Sequence, residues 1–113
     1  MTLIIATQRL PDAAIAIRPD GAITSENAFK LQDRVTAVLA ATKPDRIFVD
    51  LRAVPAIDDA GMDALMSGGS TAAACNCSLV VVDPQPGVYE QLHTRGLTDM
   101  LARPTRRQAN GGA

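Results

Sequence analysis

Two short runs of strand-forming apolar residues open the chain and predict a pair of strands. They are LIIATQ at residues 3–8 and AAIAIR at residues 13–18, separated by Pro11 and Asp12. A Pro-Asp-Gly turn signal at residues 19–21 closes the second run. The pattern therefore predicts an N-terminal hairpin.

After Thr24 the apolar residues recur three and four positions apart, which is the period of a helix, while charged residues occupy the other faces. A side-chain oxygen of Thr24, Ser25 or Asn27 can cap this helix, and Pro44 prevents its continuation. The apolar stripe of the predicted helix consists of Ala28, Leu31, Val35, Val38 and Leu39.

The central part of the chain predicts a strand and a second helix. RIFVDL at residues 46–51 is a compact apolar run, as expected for a strand covered on at least one face. A second helical stripe extends from Met62 to Ala73, and Gly68 and Gly69 interrupt it at about 1 kcal/mol per glycine relative to alanine. This helix is therefore expected to bend there, to pack closely against a neighbour, or to end early.

The last third of the chain predicts one more strand and one more helix. Asn76 suits a left-handed helix C-cap, and SLVVVD at residues 78–83 forms the next apolar run. Two prolines end that run, and a helical stripe beginning at Val88 ends at Gly96. LTDML at residues 97–101 predicts a final turn or short helix.

The predicted order β-β-α-β-α-β-α-α indicates an α/β domain with a mixed sheet of four or five strands and about four helices. Each β-α-β crossover is expected to join parallel strands. A length of 113 residues suits one domain. We expect this domain to occupy residues 1–102. Residues 103–113 offer little to bury and are expected to form a flexible C-terminal tail.

Composition and charge exclude several classes of function. The net charge is −1, and the basic cluster at residues 103–107 lies next to the terminus, so no nucleic-acid partner is expected. The sequence contains no apolar run of about 18 residues and no signal-peptide pattern, so neither membrane insertion nor export is expected. We therefore predict a cytoplasmic protein.

No catalytic constellation is visible in the sequence. Nucleophile-elbow, phosphate-loop and dinucleotide-binding patterns are absent, and His93, the one histidine, has no partner by motif. Cys75 and Cys77 lack the further ligands that zinc requires, so they are predicted to be buried or half-buried free thiols. The sequence therefore predicts neither an enzyme nor a cofactor.

Two adjacent carboxylates stand in AIDDAGMDAL, residues 56–65, at the start of the second predicted helix. Asp59 and Asp63 are four apart, and with Asp50 they could offer oxygens to a divalent metal. The helix dipole explains the acidic residues without a metal, because it favours carboxylates near a helix N-terminus by about 0.3–1 kcal/mol each. No metal site is therefore predicted, and Asp59 is a candidate N-cap.

The stretch IFVDLRAVPAIDDAGMDALM, residues 47–66, resembles the STAS domain of bacterial anti-sigma factor antagonists. In that family a strand ending in Asp-Leu is followed by an apolar-Asp-Ser-Ser/Thr-Gly-Leu loop that opens a helix. GAI at residues 21–23 is similar to the family's Gly-x-Leu before the first helix, and residues 79–101 are similar to its last strand and helix. The residues on the loop pattern are, in order, Ile57, Asp58, Asp59, Ala60, Gly61 and Met62.

The resemblance implies a phosphorylation-controlled binding module with the STAS fold. In partner-switching members, an anti-sigma factor that is a serine kinase of the GHKL type phosphorylates the serine after the loop aspartate. The unphosphorylated antagonist captures the kinase and frees the sigma factor, whereas the phosphorylated one releases it. That serine position is Asp59 here, and Ala60 follows. The loop therefore has no hydroxyl to phosphorylate, and the protein is expected to be fixed in one signalling state or to be regulated elsewhere.

By the same resemblance, the partner contacts the start of the second helix and the neighbouring turn. Gly61 would let a partner backbone approach closely, and Met62 would offer an adaptable apolar contact. Two alternatives stay open: a STAS subunit of an ABC-type transport system, and a nucleotide-binding STAS domain. Homodimer formation is also left open. The predicted partner-binding residues are Gly21, Ile23, Thr24, Asp58, Asp59, Ala60, Gly61 and Met62.

Overall fold

A computed structural model describes residues 2–101 of the chain, and the predicted tail lies outside these residues. Within residues 2–101, three α-helices and a short 3₁₀ helix accompany a four-stranded sheet. The elements are β1 (Ile4–Leu10), β2 (Ala14–Asp20), α1 (Ala28–Thr42), β3 (Arg46–Asp50), α2 (Asp59–Ala74), β4 (Ser78–Val82), α3 (Pro86–Thr94) and the 3₁₀ helix Thr98–Met100. Their order and types confirm the predicted α/β fold.

The sheet is mixed and follows the order of the sequence, β1-β2-β3-β4. β1 and β2 form the predicted antiparallel hairpin, with Thr7 opposite Ile17. β2, β3 and β4 are parallel, and Ile15, Ile47 and Leu79 lie in register across them. The carboxyl ends of the parallel strands therefore meet at one edge of the sheet, where the loops leading to α1 and α2 begin.

The core lies between the sheet and the helices. α1 and α2 pack against each other, and the apolar stripe predicted for α1 is buried in full. α2 is continuous through its two glycines. A Cβ added at Gly68 would lie 3.5 Å from Leu79 Cδ1 and 3.6 Å from Val35 Cγ2. Of the three outcomes considered for the glycine pair, an early end of the helix is therefore wrong, and Gly68 lies against Leu79 and Val35 at distances that would still admit a Cβ.

Asn27 precedes α1 but does not cap it. Its Oδ1 accepts from the Thr24 N–H at 2.9 Å, and its Nδ2 donates to the Ala22 carbonyl at 3.0 Å. Asn27 is buried, so these two hydrogen bonds hold the turn before α1 from its buried side.

Asn76 follows the C-terminal end of α2 and has a φ of 58°. This value confirms the left-handed residue that was predicted there.

The two cysteines occupy different environments. Cys77 is buried, and burial, together with neighbouring Cys75 and Asp45, raises the pKa of its thiol. Cys75 is exposed at the C-cap of α2, so the prediction of a buried or half-buried thiol is wrong for this residue. α2 ends at Ala74 and β4 begins at Ser78, so Cys75 lies in the connection between them and belongs to the buried face of neither element.

Candidate functional site

The loops that precede α1 and α2 lie side by side at the carboxyl edge of the sheet. The Ile23 N–H donates to the Ala56 carbonyl at 3.0 Å, and the Asp58 N–H donates to the Ile23 carbonyl at 3.1 Å. The Gly21 N–H also donates to the Ala53 carbonyl at 3.0 Å. The structure therefore brings together the two sequence segments that the sequence analysis assigned to one surface.

Asp58 connects the two loops through its side chain. Its Oδ1 accepts from the Gly61 N–H at 3.0 Å, and its Oδ2 accepts from the Ser25 N–H at 2.9 Å. Asp58 has extended backbone dihedrals, and it is the N-cap of α2. The prediction of Asp59 as the cap is therefore wrong, because Asp59 is already the first helical residue and its carboxylate accepts from an arginine side chain instead.

Asp59 faces solvent and is bound by Arg95, the residue that follows α3. Its side chain is 92% exposed, and its Oδ1 accepts from Arg95 Nη1 at 2.8 Å. The other guanidinium nitrogen, Nη2, donates to Asp63 Oδ1 at 3.0 Å. Arg95 thus bridges two carboxylates on successive turns of α2. The sequence analysis did not identify Arg95, although the four-residue spacing of the two aspartates places both on one helix face.

The three aspartates considered for a metal do not meet. Asp50 is buried at the end of β3, where its Oδ2 lies 3.6 Å from Arg18 Nε and 3.5 Å from Arg52 Nη2. Asp59 and Asp63 instead share a guanidinium. No group of three or more potential ligands that could hold a metal ion is found among residues 2–101. The positive charge beside each of these three carboxylates is therefore an arginine side chain.

Three of the predicted partner-binding residues are buried in the free chain. Ile23 is fully buried, Met62 is 1% exposed, and Gly61 is also buried. A Cβ at Gly61 would lie 2.5 Å from Ile57 Cγ1, so the glycine permits close packing inside the chain. Among the other predicted partner-binding residues, Asp59 is exposed, and residues such as Thr24 and Ala60 are partly exposed.

Two large apolar side chains are exposed in the N-terminal halves of α1 and α2. Phe29 of α1 is 55% exposed, and Met66 of α2 is 44% exposed. Met66 lies seven residues after Asp59 and three after Asp63, so the three share one face of α2. Phe29 follows Ser25, the residue hydrogen-bonded to Asp58, by four positions. Two acidic side chains and an exposed methionine therefore share one face of α2.

The family model of the STAS domain matches residues 5–109 of the chain. The chain belongs to the STAS domain family. None of the helices within the described part of this STAS domain has the length and apolar character that a membrane crossing requires. A sequence search of the curated proteins finds no match.

Solved structures of anti-sigma factor antagonists share the fold. The unphosphorylated antagonist SpoIIAA of Bacillus is 13% identical, with a TM-score of 0.77 over 94% of this chain and 92% of that chain. An antagonist from Mycobacterium paratuberculosis is 21% identical, with a TM-score of 0.77 over 88% and 83%.

A sulfate transporter family protein from Wolinella succinogenes also has the fold. It is 23% identical, with a TM-score of 0.67 over 84% of this chain and 76% of that chain. At these identities the similarity establishes the STAS fold, and the function must be argued from the residues of the site.

Proposed function

We propose that this STAS domain is a non-enzymatic cytoplasmic binding module that acts as an anti-sigma factor antagonist by partner switching with an anti-sigma factor kinase of the GHKL type. The observation that carries the proposal is the position of Asp59. It is the first residue of α2, it follows the capping Asp58, and its side chain is 92% exposed at the position of the family's phospho-acceptor serine.

Asp59 imitates phosphoserine only in part. A phosphoserine carries about −1.5 to −2 charges and three acceptor oxygens, whereas an aspartate carries one charge and two oxygens on a shorter arm. The helix dipole favours an anion at this position. Because neither Asp59 nor Ala60 has a hydroxyl, the kinase cannot add a phosphate there. The protein is therefore fixed in one signalling state, or its partner is not regulated through this loop.

The proposed contact surface consists of Asp59, Asp63, Phe29 and Met66, together with the exposed parts of the two loops. Aromatic and methionine side chains are enriched in the centres of protein interfaces, and an exposed methionine adapts to the shape of its partner. Met66 shares its face of α2 with Asp59 and Asp63, so the charge of these aspartates affects the proposed contact.

The proposal is tested by capture from an extract of the native host, with the tagged chain as bait and identification of the bound proteins by mass spectrometry. We expect a small GHKL-type kinase or a sigma regulator to be retained. A Phe29→Ser variant is used as bait for comparison. It removes exposed apolar area from the proposed contact surface and should reduce the amount of captured partner severalfold without unfolding the chain.

Other outcomes would contradict the proposal. Retention of an ABC-type ATPase in place of a sigma regulator would favour a role in a transport system. Saturable binding of GTP or ATP to the purified domain, measured by calorimetry, would favour a nucleotide-binding STAS domain.

A further inference from the structure

Arg95 is held in place by the end of α3. Leu92 on one side is fully buried, and Leu97 on the other side packs against the core. The Leu97 N–H donates to the Leu92 carbonyl at 2.8 Å, and Gly96 between them has a φ of +73°. Arg95 therefore projects from a fixed backbone turn, and its side chain is only 32% exposed.

The guanidinium of Arg95 binds the two carboxylates as a fork. One nitrogen contacts Asp59 Oδ1 at 2.8 Å and the other contacts Asp63 Oδ1 at 3.0 Å. Each nitrogen donates to a different carboxylate, so one guanidinium pairs with both aspartates. Asp59 and Asp63 together bring two negative charges to this face of α2, and Arg95 cancels one of them.

We infer that Arg95 is an internal counter-charge that keeps the start of α2 able to bind its partner despite the aspartate at the phospho-acceptor position. This inference rests on the proposed function and on its partner-switching mechanism, in which a phosphate on the serine that Asp59 replaces releases the partner. With Arg95 in place, the Asp59 and Asp63 pair presents a net charge of −1. Without Arg95 the pair presents −2, which is the full charge of a phosphoserine.

The test is the affinity of purified variants for the anti-sigma factor recovered by the capture experiment, measured by isothermal titration calorimetry. We expect Arg95→Gln to weaken binding about fivefold, which corresponds to about 1 kcal/mol. Arg95→Lys keeps the positive charge but cannot contact both carboxylates in the same way, so it should weaken binding less than Arg95→Gln does. Arg9→Gln is the matched control, because it removes one exposed cation from β1, away from α2 and α3.

The decisive comparison uses a second background. In Asp59→Asn/Asp63→Asn, the added Arg95→Gln change should alter affinity less than twofold, because both carboxylates that Arg95 contacts are gone. A role of Arg95 in stability alone, or in direct contact with the partner, would instead weaken binding equally in both backgrounds.

The failures of the inference and of the proposed function are distinguishable. If wild type binds the anti-sigma factor and Arg95→Gln binds equally well or more tightly, the counter-charge role is overturned while the proposed function stands. An equal loss in the two backgrounds overturns it as well. If no variant binds an anti-sigma factor, the proposed function fails and the inference fails with it.

Discussion

Replacing Gly61 with alanine is expected to lower the free energy of unfolding by about 3 kcal/mol. The new Cβ would lie 2.5 Å from Ile57 Cγ1, 2.9 Å from Ile23 Cγ2 and 3.0 Å from the Ile23 carbonyl oxygen. Both isoleucines are buried, and the carbonyl accepts the hydrogen bond from the Asp58 N–H that joins the two loops. The alanine can therefore fit only by moving α2 away from that junction.

Two other glycines provide matched controls for urea unfolding of the same chain. At Gly68 the added Cβ makes ordinary contacts at 3.5 Å and beyond, and at Gly87 it meets nothing within 4 Å. Alanine at either position should leave the chain as stable as wild type or more stable by up to about 1 kcal/mol, because it favours the helix. A Gly61→Ala variant as stable as Gly68→Ala would contradict the packing described for the start of α2.

Replacing Asp58 with alanine is expected to lower the free energy of unfolding by about 2 kcal/mol. The substitution removes two charge-assisted hydrogen bonds, one to the Gly61 N–H at 3.0 Å and one to the Ser25 N–H at 2.9 Å. Asp59→Ala should change the free energy of unfolding by less than about 0.5 kcal/mol, because a surface ion pair contributes little.

The variant Asp58→Asn separates the two hydrogen bonds. An asparagine has one acceptor oxygen, so it can keep the bond to Gly61 while losing the one to Ser25. Its free energy of unfolding should lie between those of wild type and Asp58→Ala. If Asp59→Ala were instead the more destabilising of the two alanine variants, the assignment of Asp58 as the cap would be wrong.

Local signals explain why the order of the elements could be predicted from the sequence. The strands are short apolar runs, the stripe of α1 repeats at the helical period, and Asn76 adopts its left-handed conformation without help from distant residues. The loop pattern at residues 57–62 likewise identified the family. Each of these features depends on a few neighbouring residues.

Features set by tertiary packing could not be predicted in this way. Met62 and Met66 are four apart and belong to one stripe of the sequence pattern, yet Met62 is buried and Met66 is 44% exposed. A four-residue step turns about 40° beyond one full turn, so the two side chains lie on either side of the boundary of the buried face.

The role of Arg95 also depends on tertiary structure. It lies 36 residues from Asp59 along the chain, and only the end of α3 brings it to α2. The choice between Asp58 and Asp59 as cap depends on the extended backbone of Asp58 and on the position of Ser25 in the neighbouring loop. Neither feature leaves a local signal in the sequence.

We propose that this STAS domain is an antagonist whose phospho-acceptor position, Asp59, cannot be phosphorylated. The most direct test is incubation of wild type and Asp59→Ser with the captured anti-sigma kinase and ATP, followed by intact-mass measurement and a binding assay. We expect no phosphate on wild type at this loop, one phosphate on the Asp59→Ser variant at the substituted position, and release of the kinase by the phosphorylated variant alone. An Asp59→Ser variant that gains no phosphate and binds the kinase as wild type does would contradict the proposed role of position 59.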